Sequence, residues 1–124
     1  MSDIAWVAAG GMVGAVAQFL VSKWTARYAT AAFPAATLFI NCAGSLIIGF
    51  FLVWTTERVL TDPHWRLLVA IGFCGAFTTY SSYAFETLKM YEQGAVELAI
   101  LNILGNNIAA LGAVVLGAVI ARKI

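Results

Sequence analysis

The sequence predicts an all-α integral membrane protein with four transmembrane helices, formed by residues 1–124 as a single domain. Hydrophobic residues make up 62% of the 124 residues and charged residues only 10%. A water-soluble domain of this size could not bury so much apolar surface, because small domains keep a large surface-to-volume ratio. The apolar residues also fall into four segments of about 20 residues, which is the length that crosses the hydrocarbon core of a bilayer.

Each span is bounded by charged or turn-forming residues. The predicted spans are Ile4–Val21, Phe33–Trp54, Trp65–Tyr91 and Leu98–Ala121. The second span opens with Pro34, which a first helical turn tolerates. A polar loop is expected between the second and third spans, and it comprises Glu57, Arg58, Asp62, Pro63 and His64. Trp6, Trp54 and Trp65 lie near span ends, as aromatic residues at membrane interfaces do.

The basic residues give almost no preference for one orientation in the membrane. With four spans, the N-terminus, the middle loop and the C-terminus lie on one side, which carries Arg58, Arg66, Arg122 and Lys123. The other side carries Lys23, Arg27 and Lys89. Four against three is nearly balanced, so the positive-inside rule permits both orientations and an antiparallel homodimer. A single orientation chosen by other features stays open. The net charge of +1 argues against a nucleic-acid partner.

Polar residues recur on one face of two spans. The first set lies four residues apart in the second span: Thr37, Asn41 and Ser45. In the fourth span, Asn102 and Asn106 repeat this spacing, with Asn107 beside them. Polar groups at bilayer depth usually face the interior of a bundle or a water-filled cavity. The two sets predict either an ion pathway or hydrogen bonds that hold helices together.

The third span is expected to be interrupted between Gly75 and Thr79. Glycine is a poor helix former in a helix interior. Four hydroxyl residues follow within five positions, and they can bond locally to the backbone: Thr78, Thr79, Ser81 and Ser82. Carbonyl oxygens released by an interruption would suit a hard cation. A continuous but kinked helix is the alternative.

Three further side chains of the third span are candidates for contact with an ion. Tyr80 and Tyr83 are three residues apart and share a helical face, where their ring edges carry partial positive charge that can stabilise an anion. Packing of two aromatic rings is the alternative. Glu86 either belongs to a polar track or pairs with Lys89 at the i+3 position.

Four stretches of the chain resemble the Fluc/CrcB fluoride channels: Gly10–Phe19, Ala36–Gly49, Gly72–Thr87 and the asparagine-bearing fourth span. The N-x-x-G pattern of the second span is joined by G-x-x-G-x-x-T-T-aromatic-S-x-aromatic in the third, and the combination is specific. The resemblance implies passive export of fluoride across the cell inner membrane. It also implies a dual-topology homodimer with two antiparallel pores and a central structural sodium ion (Na+).

The resemblance assigns roles to individual residues. It implies sodium coordination by the carbonyl oxygens of Gly75 and Thr78. The implied pore and polar-track residues are Asn41, Tyr80, Tyr83, Thr37, Ser82, Glu86 and Asn106. This chain departs from the family at the two tyrosines, where phenylalanine is usual, and at Gln18, where arginine is usual.

Two other classes of function stay open at this point. A small multidrug resistance-type exporter also has four short spans, but it depends on an acidic residue in the first span, and Ile4–Val21 contains none. A non-conducting membrane scaffold would use the same polar residues for packing alone. An enzyme is not expected, because the sequence offers no nucleophile–base pair.

Overall fold

The computed structural model describes residues 2–28, 33–59 and 61–124, and these residues form an antiparallel helical bundle. The helices are α1 (Asp3–Tyr28), α2 (Ala35–Val53), α3 (Pro63–Arg66), α4 (Gly75–Phe77), α5 (Tyr80–Glu92) and α6 (Val96–Lys123). Two π-helical segments complete them, Trp54–Arg58 after α2 and Leu67–Cys74 between α3 and α4. Together they give four segments that are long and apolar enough to cross a membrane. The prediction of four such helices is confirmed.

Several predicted boundaries were wrong by part of a turn or more. Helix α1 continues past Val21 to Tyr28, and α2 begins at Ala35, after Pro34. The helical conformation also includes Glu57 and Arg58, which were expected in a loop. Long charged side chains are tolerated at the end of a membrane helix, because their heads reach water while their stems remain on apolar surface.

His64 was predicted to lie in a loop, and this prediction was wrong. It lies in α3, where its ring stacks on Trp6 with centroids 5.4 Å apart. Asp62 caps this helix, since its Oδ1 accepts the His64 backbone N–H at 2.9 Å and lies 2.6 Å from the His64 Nδ1. These bonds to the ionised form hold the pKa of Asp62 below its usual range.

At one end of the bundle, ion-pair contacts join parts of the chain that are distant in sequence. His64 Nε2 lies 3.7 Å from the carboxylate of Asp3. Arg122 donates to both carboxylate oxygens of Glu57, each at 2.9 Å. The start of α1, the connection after α2 and the end of α6 therefore lie at the same end of the bundle, as four antiparallel spans require.

Glycines allow α1 to cross the first half of the third span with the backbones in contact. A Cβ atom on Gly10 would collide with the Leu68 carbonyl, and one on Gly14 with the Phe73 carbonyl. From the opposite side, a Cβ on Gly72 would lie 2.6 Å from the Val7 carbonyl oxygen. Lipid provides no hydrophobic drive for helix association, so this close approach supplies the packing energy.

Helices α2 and α6 pack in the same way. A Cβ on Gly49 would collide with the carbonyl of Val114, and one on Gly117 with the carbonyl of Leu46. Helix α5 completes the bundle by packing against α6. These glycines therefore allow two close crossings, one of α1 with Leu67–Cys74 and one of α2 with α6.

Candidate functional site

Two residues with extended backbone separate α4 from α5 near the middle of the third span. Thr78 has φ −80° and ψ 158°, and Thr79 has φ −146° and ψ 116°. Thr79 caps α5, since its Oγ1 accepts the Ser82 backbone N–H at 3.2 Å and donates to Ser82 Oγ at 3.0 Å. The Thr78 hydroxyl donates backward to the Cys74 carbonyl at 2.8 Å. Threonine and serine form such local bonds readily, which explains why this sequence leaves the helix here.

The side chain of Asn41 binds the backbone of the extended segment. Its Oδ1 accepts the Thr79 N–H at 2.9 Å, and its Nδ2 donates to the Thr79 carbonyl at 3.0 Å. The amide therefore pairs with both backbone groups of one residue, as a neighbouring strand would. Unpaired backbone groups away from water are costly, so this contact stabilises the extended conformation.

A row of hydrogen bonds continues from Asn41 along α6. Asn41 Nδ2 also donates to Asn106 Oδ1 at 2.9 Å. Asn106 Nδ2 donates to the carbonyl and to Oδ1 of Asn102, at 3.0 and 2.9 Å. Asn102 is completely buried and donates to Thr87 Oγ1 at 2.9 Å. The polar faces predicted on α2 and α6 therefore meet each other.

The extended segment also changes the environment of two carbonyl oxygens. A continuous helix would pair the Gly75 carbonyl with the Thr79 N–H, which instead donates to Asn41. It would pair the Thr78 carbonyl with the Ser82 N–H, which instead donates to the Thr79 hydroxyl. A Cβ built on Gly75 would meet nothing within 4 Å, so this face of the segment is open. Two carbonyls without their helical donors fit the oxygen ligands that a hard cation requires.

The two tyrosines meet edge to face. Their ring centroids are 5.2 Å apart with an interplanar angle of 69°. Tyr83 is buried at 8% exposure, whereas Tyr80 is 78% exposed. Asn107 Nδ2 lies 3.4 Å from the Tyr83 hydroxyl oxygen. The hydroxyl can accept this bond and still present its own hydrogen, together with the positive edges of the rings, to an anion.

Glu86 is tied to α2 rather than to its own helix. Its Oε1 accepts a hydrogen bond from Thr37 Oγ1 at 2.7 Å, and within the described part of the chain its buried Oε2 has no hydrogen-bond partner. The alternative of an ion pair with Lys89 does not occur among the described residues. Thr37 and Glu86 therefore form a separate polar pair, one helical turn along α2 from Asn41.

A groove of about 410 Å³ runs along the open side of the extended segment. Six of the predicted site residues line it: Asn41, Gly75, Thr78, Tyr80, Tyr83 and Asn106. Ser82 joins them through its bonds to Thr79, while Thr37 and Glu86 lie outside the groove lining.

Sequence reasoning missed Thr87, which continues the row beyond Asn102. Its position four residues after Tyr83 was the available signal, because a threonine hydroxyl can reach back to the carbonyl at that spacing, as it does here at 2.7 Å. The sequence-based prediction also assigned Asn102 only to a polar face and not to a bond with Thr87.

Four membrane-length helices, with an open groove that carries asparagine, threonine and tyrosine side chains, define a multi-pass membrane protein. The family model described as CrcB-like protein, Camphor Resistance (CrcB) matches residues 5–118. The chain belongs to this family, and the resemblance inferred from its motifs is confirmed.

Three curated relatives are each named Fluoride-specific ion channel FluC. The relative from Koribacter versatilis is 51% identical over 96% of this chain and 94% of its own length. The relative from Magnetococcus marinus is 40% identical over 98% of this chain and 99% of its own length. The relative from Methylococcus capsulatus is 41% identical over 95% of this chain but only 52% of its own, longer sequence.

Proposed function

We propose that this chain forms a passive fluoride channel of the cell inner membrane that exports fluoride from the cytoplasm, and that it is not an enzyme. Family membership and the name shared by its relatives support this function. The observation that carries it is the extended segment held by Asn41, which brings Tyr80 and Tyr83 to the same groove wall as Asn41 and Asn106.

The chemistry of the groove suits weak binding of a small anion. The groove offers ring edges, hydroxyls and amides, and none of the residues that line it is a lysine or an arginine. An ion must bind well enough to enter and weakly enough to leave, and a fixed cation would bind fluoride too tightly for this. We assign the anion path to Asn41, Tyr80, Tyr83 and Asn106.

A polar track is proposed to continue the path through Thr37, Ser82 and Glu86. The bond between Thr37 and Glu86 supports this assignment, because it places polar groups of α2 and α5 together at the level beyond Asn41. Hydrogen fluoride crosses membranes as a neutral acid and ionises in a more alkaline cytoplasm. A passive path then lets the membrane potential drive the anion outward, at about 2.3 kcal/mol per charge per 100 mV.

We further propose that the working unit is an antiparallel homodimer of dual topology with two pores. Polar groups exposed to lipid at bilayer depth are costly, and in a single chain the groove with its asparagines is open on one side. A second copy of the chain, inserted in the opposite direction, would cover it. The near balance of basic residues between the two ends of the bundle supports this arrangement.

The carbonyl oxygens of Gly75 and Thr78 are proposed to hold the structural sodium ion at the centre of the dimer, one pair from each subunit. Their loss of helical donors supports this assignment. The ion would supply positive charge that neutralises the carbonyl dipoles. Dimer stability is then expected to fall when sodium is replaced by N-methylglucamine, which gel filtration in mild detergent can measure.

Fluoride efflux from liposomes tests the proposal directly. The purified chain is compared with the double variant Tyr80→Phe/Tyr83→Phe, which keeps both ring edges and removes both hydroxyls. Tyr28→Phe at the end of α1 is the matched control. We expect efflux in all three without a proton gradient, and little efflux of chloride.

The outcomes separate the three classes of function. Loss of fluoride flux in both the original chain and the double variant would refute the channel. Flux that requires a proton gradient and a cationic substrate would indicate an exporter. A scaffold would assemble in the membrane and transport neither ion.

A further inference from the structure

The row of hydrogen bonds at the candidate site extends to two residues that have no place in the proposed anion path. Asn102 is completely buried between α6 and α5, and its Nδ2 donates to Thr87 Oγ1 at 2.9 Å. Thr87 in turn donates to the Tyr83 carbonyl at 2.7 Å. The row therefore begins on a backbone carbonyl of α5 and ends on the backbone of Thr79.

The first bond of the row fixes the direction of the second. A threonine hydroxyl has a single hydrogen, and Thr87 donates it to the Tyr83 carbonyl. Toward Asn102, the hydroxyl can therefore only accept. The nitrogen of the Asn102 amide must face Thr87, which turns its Oδ1 toward Asn106.

The same reasoning carries the orientation to Asn41. Asn106 Nδ2 faces two oxygen atoms of Asn102, so Asn106 presents its own Oδ1 to Asn41. Asn41 must therefore donate from its Nδ2 to Asn106, and its Oδ1 is left to accept the Thr79 N–H. Reversing any one amide would set donor against donor and acceptor against acceptor, which is costly in a buried network.

We propose that Thr87 and Asn102 are positioning residues of the anion path. Acting through Asn106, they fix the orientation of the Asn41 amide, and this amide holds the backbone of Thr79 next to Tyr80. The structural part of this inference stands on the hydrogen bonds alone. Its consequence for conduction rests on the proposed function.

Thr87→Val tests the inference, because it keeps the shape of the side chain and removes the hydroxyl. Thr55→Val is the matched control: Thr55 is buried and donates to the carbonyl four residues earlier, at 2.8 Å, and among the described residues it bonds to no polar side chain. Thr87→Ser restores the hydroxyl. Thr87→Ala also removes the hydroxyl, and alanine is a better helix former than valine, so this variant replaces Thr87→Val if the valine variant does not assemble.

Hydrogen–deuterium exchange of the Thr79 amide is the first readout, since this N–H is bonded to Asn41. We expect exchange to be faster by about tenfold or more in Thr87→Val, the size of effect expected when buried polar groups lose their partners. Thr55→Val and Thr87→Ser should stay within about twofold of the original chain. Fluoride efflux should also fall by about tenfold in Thr87→Val, and it should not fall in Thr55→Val or Thr87→Ser.

The two readouts distinguish failure of the inference from failure of the proposed function. Unchanged exchange at Thr79 in Thr87→Val would overturn the inference whether or not the chain conducts. Faster exchange with undiminished fluoride efflux would overturn the positioning role. If the original chain moves no fluoride, the proposed function fails, and the exchange data still decide whether Thr87 and Asn102 orient Asn41.

Discussion

Asn41→Leu should destabilise the extended segment of the third span and abolish most of the fluoride flux. Leucine has the same branched outline as asparagine and is larger, so the substitution leaves no cavity. It removes three hydrogen bonds of 2.9 to 3.0 Å: two to the backbone of Thr79 and one to Asn106. The Thr79 N–H and carbonyl then have no side-chain partner near the middle of the span.

The size of the effect follows from these bonds. Side-chain hydrogen bonds between membrane helices average about 0.6 kcal/mol, and three give about 2 kcal/mol. Leaving buried backbone groups unpaired costs about 1–3 kcal/mol each, so the two groups of Thr79 raise the total. We expect the free energy of unfolding to fall by about 4 kcal/mol or more.

Asn107→Leu provides the matched control, because its amide lines the same groove but donates mainly to the Ile103 carbonyl of its own helix, at 2.8 Å. Thermal unfolding in detergent and fluoride efflux from liposomes would be measured for both variants. The Asn107 variant should unfold close to the original chain. An Asn41 variant that unfolds and conducts like the Asn107 variant would refute the idea that Asn41 holds the extended segment.

Two further predictions concern the scaffold. Gly72→Ala should destabilise the bundle by more than about 2 kcal/mol, because its Cβ would lie 2.6 Å from a carbonyl oxygen of α1. In the control Gly112→Ala, the new Cβ meets nothing within 4 Å, so this variant should be neutral or stabilising. Equal unfolding temperatures of the two variants would contradict this prediction. Asp62→Ala should lower the unfolding temperature at neutral pH. The bonds from His64 depress the folded-state pKa of Asp62, so the difference between the two chains should shrink as the pH falls below about 3.9 toward that lower value. A difference that grows on acidification would contradict the cap.

The number of helices could be predicted from composition and segment length, because both are set by the bilayer thickness. The residues at which the helices end could not be predicted in this way. Glu57 and Arg58 were expected in a loop because they are charged, yet Glu57 is helical and bonded to Arg122, a residue 65 positions away. A contact at that distance along the chain leaves no periodic signal near either residue.

The candidate site was likewise predictable only in part. Spacing places Thr37, Asn41 and Ser45 on one face, but it does not identify their partners. The Thr79 backbone lies 38 residues from Asn41, and Thr37 bonds to Glu86 on another helix. The spacing of Thr87 from Tyr83 indicates only a bond within its own helix, and its bond to Asn102 depends on the packing of α5 against α6.

The extended segment leaves an imbalance between backbone donors and acceptors. Asn41 satisfies the N–H and the carbonyl of Thr79, and it thereby diverts the donor that would have reached the Gly75 carbonyl. The Thr78 carbonyl loses its donor to the capping hydroxyl. Lipid has no donors to offer, so the unpaired oxygens make this side of the groove electronegative. An anion passing near Tyr80 would be repelled by those oxygens. On the proposed function, the sodium ion proposed for the Gly75 and Thr78 carbonyls would offset this repulsion, so that ring edges and hydroxyls could hold fluoride weakly.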